Sequence, residues 1–165
     1  MSIVVEDGTG LSNAESYVSV AAASTYLANL GLTNWANLSP LEMEQALRRA
    51  TNYMEQAYRE RWIGYRSHMG QALSWPRWNV IVDNFPVDPT SVPADIANVC
   101  AELAFKAAAG DLASDLDPTV TTKKVGPIET QYDRYSIQYR RYRSIDMRLA
   151  PYLCRTGQTG MVVRA

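Results

Sequence analysis

The sequence predicts a mostly α-helical domain of three to four helices, with a long pinned loop and a short β-hairpin or strand pair near residues 123–137. Three observations indicate this fold class. Several segments repeat apolar residues at three- and four-residue steps, which is the period of a helix. Residues 61–92 show no period, although they contain three of the four tryptophans. Residues 124–133 place apolar residues among turn formers, which is typical of short strands.

The first helix is predicted over residues 19–30, with Ser19 as N-cap. Gly31 follows its end, where a residue tolerant of positive φ is favoured. The residues expected to face the core are Tyr26, Leu27 and Leu30.

A longer helix begins at 39-SPLE-42. Ser39 can cap it, Pro40 suits the first helical position, and Glu42 completes a capping box. The helical period predicts one apolar stripe along it, made of Met43, Ala46, Leu47, Ala50, Tyr53, Met54, Ala57 and Tyr58.

Two further helices are predicted towards the C-terminus. One begins at Pro93 and stops at Gly110, and its small residues allow a neighbouring helix to approach closely. Ser144 is expected to cap a short last helix that Pro151 bends or ends early. Residues 1–153 therefore form one predicted helical domain, and residues 154–165 a C-terminal tail.

The long segment over residues 61–92 needs its own explanation, because a structureless loop of about 30 residues is rare inside a compact domain. We expect its own side chains to pin it. Trp75 is the predicted loop anchor, since 75-WPR-77 combines a large apolar ring, a fixed φ and a charged tip.

Composition sets limits on function. The 165 residues are 47% hydrophobic and 20% charged, with a formal net charge of −1. This balance argues against a dedicated nucleic-acid binder, which is usually strongly basic. The N-terminal sequence MSIVVEDGTG has no signal-peptide pattern and no segment is apolar enough to span a membrane, so we expect a soluble protein made in a reducing cytoplasm without a membrane partner.

Residues for catalysis or cofactor binding are not indicated. His68 is the single histidine, and Cys100 and Cys154 have no metal-ligand spacing. The phosphate-binding glycine motifs are absent. We therefore expect no catalytic residue, no cofactor and no metal, and the protein is not expected to be an enzyme.

The stretch 138-QYRRYRS-144 interleaves tyrosine and arginine and has two interpretations. Bases can stack on exposed rings while cations hold phosphates, as in single-strand nucleic-acid binding. Tyr and Arg are also enriched at protein interfaces, and this interpretation is favoured because the tyrosines share one face only if the region is helical. The apolar trio of the tail is a second candidate contact. The partner or subunit-contact candidates are Tyr139, Arg140, Arg141, Tyr142, Arg143, Met161, Val162, Val163 and Arg164.

Motifs in a fixed order carry a resemblance over about residues 14–153. The chain resembles the head-to-tail adaptor (connector) proteins of long-tailed bacteriophages, in a branch often labelled primosomal-protein-like single-stranded-DNA-binding. The stretch around 134–143 and the tail after Arg155 match no family pattern. The motifs are 14-AESYVSV-20, 47-LRRAT-51, 71-QALSWPR-77, 92-VPADI-96 with 102-ELA-104, and 124-KVGPI-128.

The resemblance implies a virion structural protein made in the host cytoplasm and located in the neck. A ring of about twelve copies would lie below the portal protein and above a tail, stopper or terminator protein. Packaged double-stranded DNA would pass through its lumen without sequence-specific binding, and no catalysis is implied. The alternative is a single-stranded-DNA-binding accessory protein of replication.

Overall fold

The computed structural model describes residues 2–113, 120–125, 128–132 and 142–154. Four α-helices lie within these residues, and the mostly helical fold class is confirmed. They are α1 (Val20–Asn29), α2 (Pro40–Tyr58), α3 (Ala94–Ala109) and α4 (Arg143–Leu149). Short 3₁₀ helices cover Thr33–Asn37, Arg59–Arg61 and Ala150–Tyr152.

The helix caps follow the sequence at three of four starts. The Ser19 side chain accepts a hydrogen bond from the Ala22 N–H, and Ser39 and Glu42 form the predicted capping box. Pro93 precedes α3, as expected. The Ser144 cap is wrong: it predicts a helix starting at Ile145, whereas α4 begins two residues earlier, at Arg143, and has no side-chain cap. Tyr142 occupies the N-cap position, and its ring packs against Tyr53 of α2.

The core lies where α2 packs on α3, with α1 and α4 also against α3. Small residues allow the close approach of these helices, because Ala46 and Ala50 of α2 and Ala101 and Ala104 of α3 are fully buried. Two core predictions are wrong. Leu30 is 49% exposed, since α1 has already ended there, and Ala57 is exposed because the last turn of α2 buries Met54 and Tyr58 instead.

Residues 61–92 contain short strands in two antiparallel pairs. They are β1 (Tyr65–Arg66) with β2 (Arg77–Trp78), and β3 (Ile81–Val82) with β4 (Phe85–Pro86). The start of the loop is tied to the chain after α4, since the Ile63 N–H donates to the Tyr152 carbonyl at 3.0 Å and the Cys154 N–H to the Arg61 carbonyl. The predicted pinned loop is confirmed.

The strand pair near residues 123–137 is an antiparallel hairpin. It consists of β5 (Val120–Val125) and β6 (Ile128–Tyr132), with Val125 opposite Ile128 on either side of Gly126-Pro127. Of the described helices, none is long and apolar enough to cross a membrane. The proposed tail begins at the last described residue, Cys154, so the division into domain and tail stays a prediction.

Candidate interaction surfaces

Tyr142 is the first residue of the stretch 138-QYRRYRS-144 that the structure describes. Its half-buried ring packs edge-on against Tyr53, with centroids 5.7 Å apart, and the Lys106 ammonium lies 5.6 Å from the ring centroid. Its hydroxyl donates to the Leu112 carbonyl at 3.3 Å. Because the ring is engaged by its own chain, it is a poor platform for a base in this arrangement.

Arg143 is exposed and forms no ion pair with another described residue. It is therefore available to a partner molecule. The remaining contact candidates, Tyr139, Arg140, Arg141, Met161, Val162, Val163 and Arg164, lie outside the described residues, and their roles stay predictions.

Trp75 is fully buried. Its ring lies between Trp62 and Tyr152, each at a centroid distance of 5.7 Å and nearly perpendicular to it. Edge-to-face pairs of this kind add about 0.5–1.5 kcal/mol beyond the burial of their area. Trp75 thus packs against the start of the loop at Trp62 and against the chain after α4 at Tyr152. Its role as loop anchor stays a prediction that a stability measurement tests.

Arg77 is not the charged tip that its position in 75-WPR-77 suggests. The guanidinium is buried and donates to four carbonyls of its own loop. The acceptors are Ile63 at 2.8 Å, Gly64 at 2.7 Å, Ser74 at 3.1 Å and Trp62 at 3.4 Å. Burial lowers the pKa of Arg77. Sequence reasoning missed this role, because no local pattern separates an arginine that binds carbonyls from one in solvent.

Two carboxylates from other parts of the chain help to hold the loop, Glu6 indirectly through the N-terminal turn and Glu55 directly. The buried Glu6 accepts hydrogen bonds from the N–H groups of Gly8, Gly10 and Leu11 at 2.8–3.0 Å, which orders the N-terminal turn. The Leu11 carbonyl then accepts from the Ala72 N–H of the loop at 2.8 Å.

Glu55 of α2 is the second carboxylate. It accepts from the Ser74 hydroxyl at 2.7 Å, from the Ser74 N–H at 3.0 Å and from the Tyr17 hydroxyl. Burial first, and then the charge of Glu55, raise the pKa of Tyr17 well above its ordinary value. Glu55 and Tyr17 thus hold the backbone at Ser74 in place, whereas the buried indole N–H groups of Trp62 and Trp75 have no hydrogen-bond partner among the described residues.

Charge divides the chain into two unlike parts. Residues 1–119 contain seven Lys and Arg against fourteen Asp and Glu, a formal charge of −7. Residues 120–165 contain nine Lys and Arg against three Asp and Glu, a formal charge of +6. The near-neutral net charge of the whole sequence conceals this asymmetry. It is found by counting the charged residues separately in the two parts of the chain.

The histidine, cysteine and carboxylate side chains are the groups that could bind a metal ion or act as nucleophiles. No three His, Cys, Asp or Glu side chains lie close enough to hold a metal ion among the described residues. His68 is exposed, and Cys100 is buried beside Thr51, with its Sγ 3.3 Å from the Thr51 hydroxyl. Burial raises the pKa of the Cys100 thiol, so it is a weak nucleophile.

Comparison with known proteins gives one result. A family model described as "Putative DnaT-like ssDNA binding protein" matches residues 1–165. No match was found among curated proteins or among solved structures. Because the family model covers the whole sequence, the chain belongs to this DnaT-like family.

Proposed function

We propose that this protein is a bacteriophage head-to-tail adaptor, a non-catalytic virion protein that forms a ring of about twelve copies below the portal. The observation that carries the proposal is the β5–β6 hairpin. Within the described residues its strands pair with each other, and no helix packs extensively against them. A two-stranded hairpin without other packing is marginal in water, so we infer that a neighbouring molecule packs against it.

The charge distribution supports a second copy as that neighbour. The hairpin belongs to residues 120–165, which carry a formal charge of +6, and the remainder of each copy carries −7. Contact between the basic part of one copy and the acidic part of the next brings opposite charges together. Repeated around an axis, such a head-to-tail contact closes a ring.

The motifs of the adaptor resemblance also coincide with residues that shape the fold. The motif 71-QALSWPR-77 contributes Trp75 and Arg77, and 14-AESYVSV-20 contributes Tyr17, whose hydroxyl contacts the Ser74 backbone at 3.0 Å. These residues determine the path of the pinned loop. A chain that keeps these motifs in order is expected to keep the family's subunit shape.

In this proposal the ring lies in the virion neck, between the portal above and a tail, stopper or terminator protein below. Packaged double-stranded DNA passes through the lumen without sequence-specific binding. The protein is made in the host cytoplasm and uses no cofactor.

A second function, single-stranded-DNA binding in replication, is favoured by the description of the family and by the nine Lys and Arg of residues 120–165. The engaged ring of Tyr142 weighs against it, as does the acidic character of the remaining chain. Like charge between that acidic part and the phosphates opposes close approach.

One pair of measurements separates the two functions. Electron microscopy of the purified protein, alone and with portal protein, is expected to show rings or portal-bound density. Binding to a fluorescent single-stranded oligonucleotide is then measured from low to high salt. Tight binding whose affinity falls steeply with salt, without rings or portal binding, would replace the adaptor by the replication function.

A further inference from the structure

The β3–β4 hairpin forms an exposed apolar projection. Its turn residues Asp83 and Asn84 have φ of 51° and 69°, the pair of positive values that defines the tightest two-residue hairpin turn. Phe85 is 75% exposed and Ile81 63% exposed, while Val82 of the same hairpin is partly buried against the core and holds it to the domain. We call Ile81, Asp83 and Phe85 the apolar knob. A preformed apolar projection loses little conformational entropy when it binds a partner.

An open concavity of about 400 Å³ lies on another part of the domain. Arg49 and Tyr53 of α2 line one side, and the chain from Ala107 to Ala113 lines the other. We call it the α2–α3 pocket. Its size is within the range of about 300–1,000 Å³ that protein pockets for ligands and side chains occupy.

The knob and the pocket lie towards opposite ends of α3. The chain passes from the end of β4 at Pro86 to the start of α3 at Ala94, which connects the knob to the first turn of this helix. The Tyr152 hydroxyl donates to Asp95, in the first turn of α3, at 3.0 Å. The pocket is at the other end of this 16-residue helix, about 24 Å away. A short rigid hairpin cannot cross that distance, so a knob cannot fill the pocket of its own chain.

Charge makes the two surfaces complementary. Asp83 is exposed on the knob and Arg49 is exposed at the pocket, and neither forms an ion pair with another described residue. The pocket also contains Asp111, whose carboxylate accepts a hydrogen bond from the Ala113 N–H at 3.1 Å. Seating an apolar knob with an acidic tip in a pocket with an exposed guanidinium pairs opposite charges while it buries Phe85.

We propose that the apolar knob of one copy seats in the α2–α3 pocket of the next copy, with Phe85 in the pocket and Asp83 against Arg49. This contact deepens the proposed adaptor function and rests on it. The two surfaces differ, so the contact is head-to-tail and repeats from copy to copy. It generates a ring where the rotation between copies closes, as the adaptor function requires. A contact between identical surfaces would stop at a dimer.

Phe85→Ser is the first test, with Leu41→Ser as control because Leu41 is an exposed apolar residue, at 61%, on the first turn of α2. Light scattering over a concentration series measures the mass of each variant. Phe85→Ser is expected to weaken self-association on the order of 100-fold, as removal of a central aromatic anchor does. Leu41→Ser is expected to associate like the wild type.

A charge exchange tests the contact without removing the apolar group. Asp83→Arg alone and Arg49→Asp alone each place like charges together, and each is expected to weaken association about tenfold. In an equimolar mixture of the two variants every knob can meet a pocket of opposite charge, so assemblies of more than two copies are expected to return.

The results that would overturn this contact are distinct from those that would overturn the adaptor. The knob–pocket contact is wrong if Phe85→Ser assembles like the wild type, or if the mixture of charge variants stays dissociated. The adaptor function still stands in that case, provided that the wild type forms rings on the portal. A wild-type chain that neither self-associates nor binds portal, yet binds oligonucleotides, removes both.

Discussion

The pinned loop, residues 61–92, and the β5–β6 hairpin both lie between helices, but they are held in different ways. The loop is connected to its own domain by the Trp75 ring, which packs on Tyr152, and by Glu55. Within the loop, four hydrogen bonds from Arg77 hold the backbone together. Among the described residues, the hairpin has its backbone ladder and few contacts with the helices. Two segments between helices of one chain thus differ in how much of the described domain packs over them.

The same residue types occur in both regions, with opposite environments. Arg77 is buried among carbonyls, whereas Arg143 is exposed. Variants in the loop should therefore change the stability of the single chain. Variants in the basic part should change assembly and leave stability nearly intact.

The largest effect is expected from Trp75→Ala. Removing a fully buried indole between two aromatic rings should lower the free energy of unfolding by about 3–5 kcal/mol. Chemical denaturation measures it, and Trp78→Ala is the matched control because Trp78, in the same loop, is 50% exposed. Equal losses for the two tryptophans would show that Trp75 does not anchor the loop.

Arg77→Met is expected to have the next largest effect. It keeps much of the side-chain volume but leaves four loop carbonyls without their donor, which should cost about 2–4 kcal/mol. Arg59→Met, at an exposed arginine after α2, is the control and should stay within about 0.5 kcal/mol of the wild type. If Arg77→Met unfolds at the wild-type denaturant concentration, the carbonyl contacts do not hold the loop.

In the basic part, the triple change of Arg140, Arg141 and Arg143 to Ser should act on assembly. We expect ring formation or portal binding to weaken about tenfold, with the melting temperature unchanged, because exposed charges add little to fold stability. Arg59→Ser is the control. A triple variant that assembles normally but loses oligonucleotide binding would favour the replication function.

Deleting residues 156–165 should have a smaller effect per copy. Burying Met161, Val162 and Val163 yields about 1.5–3 kcal/mol each, and ordering the chain costs about 1–2 kcal/mol per residue, so the net gain is small. Repetition around a ring adds avidity. Co-sedimentation with portal should fall while the melting temperature stays the same; undiminished co-sedimentation contradicts a docking role, and loss of folding places the tail in the core.

The smallest expected effect is on the pH dependence of stability, and it comes from Tyr152, whose ring packs against Trp75. Because its pKa is raised to about 12 in the folded chain, it adds no pH dependence below its ordinary value of about 10. Above that pH the unfolded chain loses this proton first, so stability falls as the pH rises towards 12. Tyr152→Phe should reduce this decline, measured as melting temperature from pH 9 to 12, and the exposed Tyr65→Phe should not. An identical decline in the Tyr152 variant would exclude its contribution.

Much of the fold was determined by the sequence itself. Ser19, Ser39 with Glu42, and Pro93 predicted three helix starts, because caps act through neighbours three residues away at most. The turn formers Gly126-Pro127 predicted either a strand pair around them or one strand after them, and the structure has the pair. These signals are contained within a few consecutive residues, so they can be read without knowledge of the fold.

Tertiary structure alone decided which aromatic and charged residues are buried. Trp75 is buried and Trp78, three residues on, is half exposed; Tyr142 is half-buried and the adjacent Arg143 is exposed. The partners that decide this, such as Tyr152 for Trp75 and Lys106 for Tyr142, are distant in sequence. The positions of the apolar knob and of the α2–α3 pocket are likewise set by the fold, which places them towards opposite ends of α3. Burial depends on what the folded chain brings next to a residue, which no local pattern contains.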